Sequence, residues 1–395
     1  MVHFSLLSAT AGILAAASSL VSATPVPSQQ DEQPRAHIVP FVNKHAVTRR
    51  SVNFSSVDVV ERDLRRIQRR NELVDRLKRS GTDNVKAKRT AAALEPYDIN
   101  TLRKARMKKR QGSAADPLVN TGDSLYYGNM DIGTPAQTTT INFDTGSSDL
   151  IVPSVDCANC TGPFFDPSKS TSFATTNQAF ATAFGDGSTA NGVLSTDTVA
   201  IGSLALQNQP FAVITQASVG FDGPNAGLMG LAFPSIAQTG ATPWFINLAN
   251  QGLLASNVVS FYLSRQGAEG SELCIGCIDT AKFTGEPEYF PLTPGNDSQK
   301  FWDIAAQGFT YNGNLVTTQP LTATIDSGTS LIYLPPSQAT ALYANVPGVQ
   351  ADADGKHWTF PCANAGSIGT FGIVFSSGTV FNINPTQFNA GVLVQ

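Results

Sequence analysis

The pattern of apolar and polar positions divides the chain into three stretches. Leu6 to Val21 is apolar and rich in small residues, and the chain then stays polar and basic as far as Arg110. From Leu125 onward short apolar runs alternate with Gly, Asn, Ser and Pro. Short apolar runs bounded by turn residues predict β-strands, so the body reads as all-β (mainly β). Leu125 to Gly128 and Ile132 to Gln137 predict strand, turn and strand. Phe180 to Phe184, Gly185-Asp186-Gly187 and Asn191 to Val199 predict a hairpin with glycine at its tip. Gly227 to Pro234, Thr242 to Leu248 and Val258 to Leu263 continue the series as core strands. Only Val57 to Lys78, with Val59, Val60, Leu64, Ile67, Leu73, Val74 and Leu77 among many Arg, has helical spacing.

Two of these runs carry the same message. Ile141-Asn142-Phe143-Asp144-Thr145-Gly146-Ser147-Ser148 and Thr324-Ile325-Asp326-Ser327-Gly328-Thr329-Ser330 each pass from an apolar strand to an acid, a hydroxyl residue, glycine and further hydroxyls. Both then return to an apolar run, and the two acids lie 182 positions apart. Turn-forming Asp, Gly and Ser would explain either copy alone. A repeat with matching flanks points instead to duplication. Two carboxylates brought together cannot both ionise, so they share a proton and titrate as a pair. The ionised member can take a proton from water while the protonated member hydrogen-bonds a carbonyl, which is general acid/base hydrolysis of an amide. In this scheme Ser147 and Thr329 donate to the outer carboxylate oxygens, and Thr145 and Ser327 brace each loop against the opposite lobe.

Charge is sharply partitioned. Up to Gln111, 21 Lys and Arg stand against 10 Asp and Glu; beyond it, 5 stand against 20. The arm is therefore +11 and the body −15. A basic arm suits nucleic acid, but ahead of an acidic body it reads better as a self-complementary inhibitory segment. The first apolar stretch is too short for a confident membrane span and ends in Val21-Ser22-Ala23, a secretory cleavage pattern. Met107-Lys108-Lys109-Arg110 is a dibasic processing site. Two Cys-x-x-Cys pairs, Cys157/Cys160 and Cys274/Cys277, raise the alternative of zinc, but their separation is far longer than a zinc ribbon's. A secreted chain favours disulfides. Cys274 and Cys277 fall in an apparent strand, where residues three apart face opposite ways, and are read as buried free thiols or left open. Asn159 and Asn296 begin Asn-x-Ser/Thr sequons and are candidate glycosylation sites.

These motifs together resemble the pepsin-like aspartic peptidase family, its fungal secreted members in particular, from about Leu125 to the end. The resemblance implies a bilobal β fold with a cleft between related lobes. It divides the chain into a signal peptide (1–23), a basic propeptide (24–110), an N-terminal lobe (111–285) and a C-terminal lobe (286–395). It implies a secreted, extracellular, monomeric acid endopeptidase made as a zymogen. Protein or peptide is the substrate and the propeptide is the inhibitor, with no nucleic acid, membrane, metal or cofactor involved. Asp144 and Asp326 would be the dyad, Phe184, Gly185 and Asp186 the substrate flap, and Cys157–Cys160 a small disulfide loop.

Two departures from the family pattern occur together: Phe184 stands where Tyr is usual and Ile151 where Trp is usual. A hydroxyl and the ring nitrogen it bonds are thus lost at once, and neither is stranded. The family also continues past the position of Gln395, with a second apolar-apolar-Gly strand and a cysteine to pair Cys362, so the C-terminal lobe is expected to be incomplete. That expectation keeps open a relative that binds peptides without cutting them. A glycosidase also uses paired carboxylates, but the duplicated Asp-hydroxyl-Gly motif leaves it little room.

Overall fold

The computed structural model describes residues 112–383 apart from 161, 163, 184–188, 219–226, 266–269, 286, 294–298, 318 and 352–357, together with the backbone of two earlier segments. Those two are Ala11–Ala16 (β1) and Arg35–Pro40 (β2). Seven strands then follow in close succession: Ala114–Pro117 (β3), Val119–Thr121 (β4), Leu125–Ile132 (β5), Gln137–Asp144 (β6), Leu150–Ala158 (β7), Ala174–Ala183 (β8) and Thr189–Ile201 (β9). After them come Leu204–Ala217 (β10), Gly227–Gly230 (β11), helix Trp244–Asn250 (α1), Val258–Tyr262 (β12), Glu272–Ile275 (β13) and Glu288–Pro291 (β14). The last part holds Asp303–Tyr311 (β15), Asn314–Leu315 (β16), Leu321–Thr324 (β17), helix Pro336–Tyr343 (α2), the short pair Gln350–Ala351 (β18) and Trp358–Thr359 (β19), Phe371–Phe375 (β20) and Val380–Ile383 (β21).

The fold is mainly β, as the strand pattern predicts, and bilobal, as the resemblance implies. One lobe is built on an eight-stranded sheet in the order β4-β5-β6-β11-β7-β10-β9-β8. In the other, β16-β15-β20-β21 form a path from which β17 pairs with β15. A third sheet, β14-β2-β1-β12-β13-β3, draws strands from both parts of the body and from the arm. In it β1 lies antiparallel to β12, and β2 lies antiparallel to β14.

Alternation shapes the strands. Along β5 the even positions from Tyr126 to Ile132 are more buried than their neighbours, the period-two pattern of a sheet with one face on the core. The main core runs across the lobes and includes Phe143, Met229, Trp244, Trp302 and Phe375. A second core gathers Leu342, Tyr343, Phe371 and Ile383 beneath α2. Both buried Trp rings satisfy their N–H: Trp244 Nε1 donates to Val199 O at 3.1 Å and Trp302 Nε1 to Leu231 O at 3.0 Å.

Two readings change. The stretch from Thr242 to Leu248 is not a strand; Trp244–Asn250 is a helix preceded by Pro243, with Trp244, Phe245, Ile246, Leu248 and Ala249 all buried. A segment that is apolar on nearly every side carries no period to tell helix from strand. Cys274 and Cys277 are not free thiols but a disulfide with Cα atoms 5.4 Å apart. The opposite-face argument holds only while the strand lasts. Here β13 ends at Ile275, and Gly276, at φ +75°, turns the chain so that Cys277 folds back beside Cys274.

Candidate active site

Asp144 is the last residue of β6, and its loop returns into β7 without pairing to it. Between the two lies β11, parallel to β6 with Gly230 opposite Asp144 and antiparallel to β7 with Leu228 opposite Ile151. The return segment then grips the loop from behind. Leu231 N donates to Asp144 O, Ala232 N to Ser147 O and Gly230 N to Asp149 O, each at 2.8 Å. Ser148 Oγ donates to Phe233 O at 2.7 Å. This closeness demands glycine at 230, where a Cβ would fall 2.5 Å from the Asp149 backbone nitrogen.

The two acidic loops meet face to face. Thr145 Oγ1 donates to Ile325 O at 2.8 Å, and Ser327 Oγ donates to Phe143 O at 2.7 Å. Thr145 N donates in turn to Ser327 Oγ at 3.0 Å, and Ser327 N to Thr145 Oγ1 at 2.8 Å. Four bonds related by a pseudo-twofold thus tie one lobe's loop to the other's. Asp326 packs so closely on the opposite loop that a Cβ on Gly146 would lie 2.5 Å from its Cγ.

Each carboxylate is held the same way. Asp144 Oδ1 accepts from Gly146 N at 2.9 Å and Oδ2 from Ser147 Oγ at 2.6 Å. Asp326 Oδ1 accepts from Gly328 N at 2.9 Å and Oδ2 from Thr329 Oγ1 at 2.7 Å. Donors aimed at a carboxylate favour its ionised form, whereas a second carboxylate nearby and burial favour the protonated one. Asp144 is 1% exposed. Opposed influences of this kind suit a pair that holds one proton between two acids.

Several other residues matter here that sequence reading passed over. Trp302 O accepts from Ile325 N at 3.0 Å, and Asp303 Oδ1 from Thr324 Oγ1 at 2.5 Å, so β15 positions the end of β17. Ser330 Oγ reaches across to Ser124 O at 2.8 Å. Asp149 accepts three bonds through its carboxylate. The only available signal for Asp149 was its place inside the repeated motif, where the second copy has Leu331.

The flap residues Phe184, Gly185 and Asp186 and the sequon residue Asn296 lie outside the described residues. The strands on either side of 184–188, β8 and β9, pair antiparallel as far as Ala183 and Thr189. Ile151 is buried with Phe180, Ala190, Ala212, Ile214 and Ala217. Cys157 and Cys160 form a disulfide with Cα atoms 5.6 Å apart, and Asn159 sits exposed in that loop at φ +63°. Each Cys-x-x-Cys pair therefore closes on itself, leaving neither as a set of thiolates for zinc.

Comparison with known proteins agrees with this geometry. A family model described as eukaryotic aspartyl protease matches residues 125–393. The chain is 38% identical over 269 residues to pepsin A of Rhinolophus ferrumequinum, covering 67% of this chain and 68% of that one. It is 38% identical over 282 residues to pepsin A of Suncus murinus, covering 70% and 69%. With an aspartic protease of Phaffia rhodozyma it shares 34% identity over 298 residues, covering 73% and 70%. By fold and by sequence the chain belongs to the eukaryotic aspartyl protease family, and it is an aspartic-type endopeptidase.

Proposed function

We propose that the chain is a secreted acid endopeptidase, made as a zymogen, in which Asp144 and Asp326 share one proton and hydrolyse peptide bonds through an activated water. The observation that carries this reading is the reciprocal fourfold bracing of the two loops by Thr145 and Ser327, which fixes both acids in one frame. Water held between the carboxylates loses a proton to the ionised acid and attacks the peptide carbonyl carbon, while the protonated acid hydrogen-bonds the carbonyl oxygen. Collapse of the tetrahedral intermediate breaks the C–N bond, and the proton goes to the leaving amine. No bond to the protein forms. Gly146 N, Ser147 Oγ, Gly328 N and Thr329 Oγ1 keep the acids in place throughout.

The partition of charge supports the zymogen. A +11 arm would lie over a −15 body at neutral pH and let go as acid neutralises the body's carboxyls. Cleavage after Arg110 would free the body from the arm. The apolar start of the chain supports secretion, and among the described residues no helix is long and apolar enough to cross a membrane. The half-exposed Asp326 loop favours a second reading, a peptide binder that does not cut.

The test is cleavage of a denatured protein by this chain at about pH 3 to 4, where a shared-proton dyad works, with and without a pepstatin-type inhibitor in water enriched in 18O. Inhibitor-sensitive cleavage with label in the new carboxyl and no trapped acyl intermediate is expected. Saturable peptide binding without cleavage would establish the second reading instead.

A further inference from the structure

Asp149 lies five residues beyond Asp144 and is 5% exposed. Its Oδ2 accepts from Gln238 N at 2.9 Å, and its Oδ1 accepts from Thr239 N at 2.9 Å and from Thr239 Oγ1 at 2.6 Å. A buried carboxylate costs several kcal/mol unless its lone pairs are met, and here two backbone amides and a hydroxyl meet them. Its own carbonyl accepts from Gly230 N. One residue therefore fastens both ends of the segment 230–239 to the loop that carries Asp144. Within that segment Leu231 N and Ala232 N reach the carbonyls of Asp144 and Ser147. Thr239 is further fixed as the acceptor of Ala241 N at 3.1 Å, just beyond the turn at Gly240.

We propose that Asp149 is a positioning residue for the reaction: by clamping the 230–239 segment at Gln238 and Thr239, it sets the backbone from which Gly146 N and Ser147 Oγ hold Asp144. This rests on the reading of Asp144 as one half of the dyad. The clamp belongs to one lobe alone, because the matching position after Asp326 is Leu331, which has no carboxylate to offer. A carboxylate outside the cleft thus acts on the chemistry through hydrogen bonds of the main chain.

The clamp predicts an effect whose sign separates it from simple charge. Removing a negative charge near Asp144 lowers the pH at which the dyad first ionises; loosening the donors on Asp144 raises it. Thr239→Val deletes one bond to Asp149 and leaves its charge in place. We expect kcat to fall by about 3- to 10-fold with KM within about 2-fold, the signature of lost transition-state positioning. The acid limb of kcat/KM should move upward, Thr239→Ser should restore both, and Asp149→Asn should lose more than Thr239→Val. Native-state hydrogen exchange on the same proteins should show the amides of Gly146 and Leu231 losing protection by about 10-fold or more while Gly328 keeps its own. If Thr239→Val and Asp149→Asn lower thermal stability but leave kcat, the acid limb and Gly146 exchange unchanged, the clamp is merely structural and the proposal fails. If the unmodified chain cleaves nothing, the functional reading fails, and the exchange pattern still decides whether Asp149 clamps the loop.

Discussion

The loop after β6 and the loop after β17 look alike from the cleft and unlike from behind. Facing each other, both present a carboxylate held by a glycine amide and a hydroxyl, and each lends the other a hydroxyl bond. Behind Asp144 a strand threads between β6 and β7, Asp149 clamps its continuation, and Leu150, Ile151 and Val152 are buried. Behind Asp326, among the described residues, β17 pairs with β15 alone, Leu331 forms a single β-bridge, and Leu331, Ile332, Tyr333 and Leu334 are half-buried. Support comes from the flank instead, through Trp302, Asp303 and Ser124. Identical chemistry at the front therefore does not require identical scaffolding. The Asp326 loop is held partly by its own lobe, through Trp302 and Asp303, and partly by the other, through Ser124.

The comparison can be broken most severely at the shared front. Gly146→Ala should abolish most activity, by about 100-fold or more, because a 1 Å displacement of a reacting group is that costly and the added carbon would push Asp326 aside. Peptide-cleavage kinetics beside a thermal melt would show activity lost well ahead of stability. Thr145→Val and Ser327→Ala come next. Each removes a hydroxyl that both donates and accepts, at about 1–3 kcal/mol of stability for the groups left unpaired. The double variant should be less damaging than the sum, since the four bonds form one network, and a double-mutant cycle by denaturant unfolding measures that shortfall.

The flank makes a smaller prediction. Ser330→Ala removes one cross-lobe bond worth about 0.5–1.5 kcal/mol, and it should loosen the Asp326 loop while leaving the Asp144 loop unchanged. Proteolysis or amide exchange at 325–330 against 144–149 would reveal the asymmetry. Equal loosening of both loops would mean that they are supported as one.

Acid stability provides the mildest effect. Burial pushes the Asp116 carboxyl from its ordinary 3.8 up to about 6, with the nearby Asp131 charge adding to it and a bond from Asn129 N opposing. The folded chain therefore holds this proton more tightly than the unfolded chain. Its stabilising effect is full below pH 4, declines as the unfolded carboxyl ionises, and is lost by about pH 6. Asp116→Asn, which cannot ionise, should flatten the stability curve across that window when melts are taken in small pH steps.

Much of this architecture was legible because the two acidic loops repeat one order of acid, hydroxyl, glycine and hydroxyls, and a repeat reveals itself without any knowledge of contacts. Thr145 and Ser327 could be read as braces, because each follows its acid at the same place in the repeat. Asp149 and Trp302 could not, since what each does depends on residues 81 or more and 23 or more positions away. Gly276 misled for the opposite reason. A single residue at positive φ ended a strand that the apolar pattern would have extended, and two cysteines met as a result.

The central claim is that unequal scaffolds deliver one reacting unit, and single and double Asp→Asn variants test it most directly. Asp144→Asn and Asp326→Asn should each lower kcat/KM for an acid-cleaved peptide by about 1,000-fold or more, and the double variant should be no worse than either, because groups that act together are lost together. If either single variant keeps more than about a tenth of the activity, or if the two losses multiply in the double variant, the acids work independently and the account is wrong.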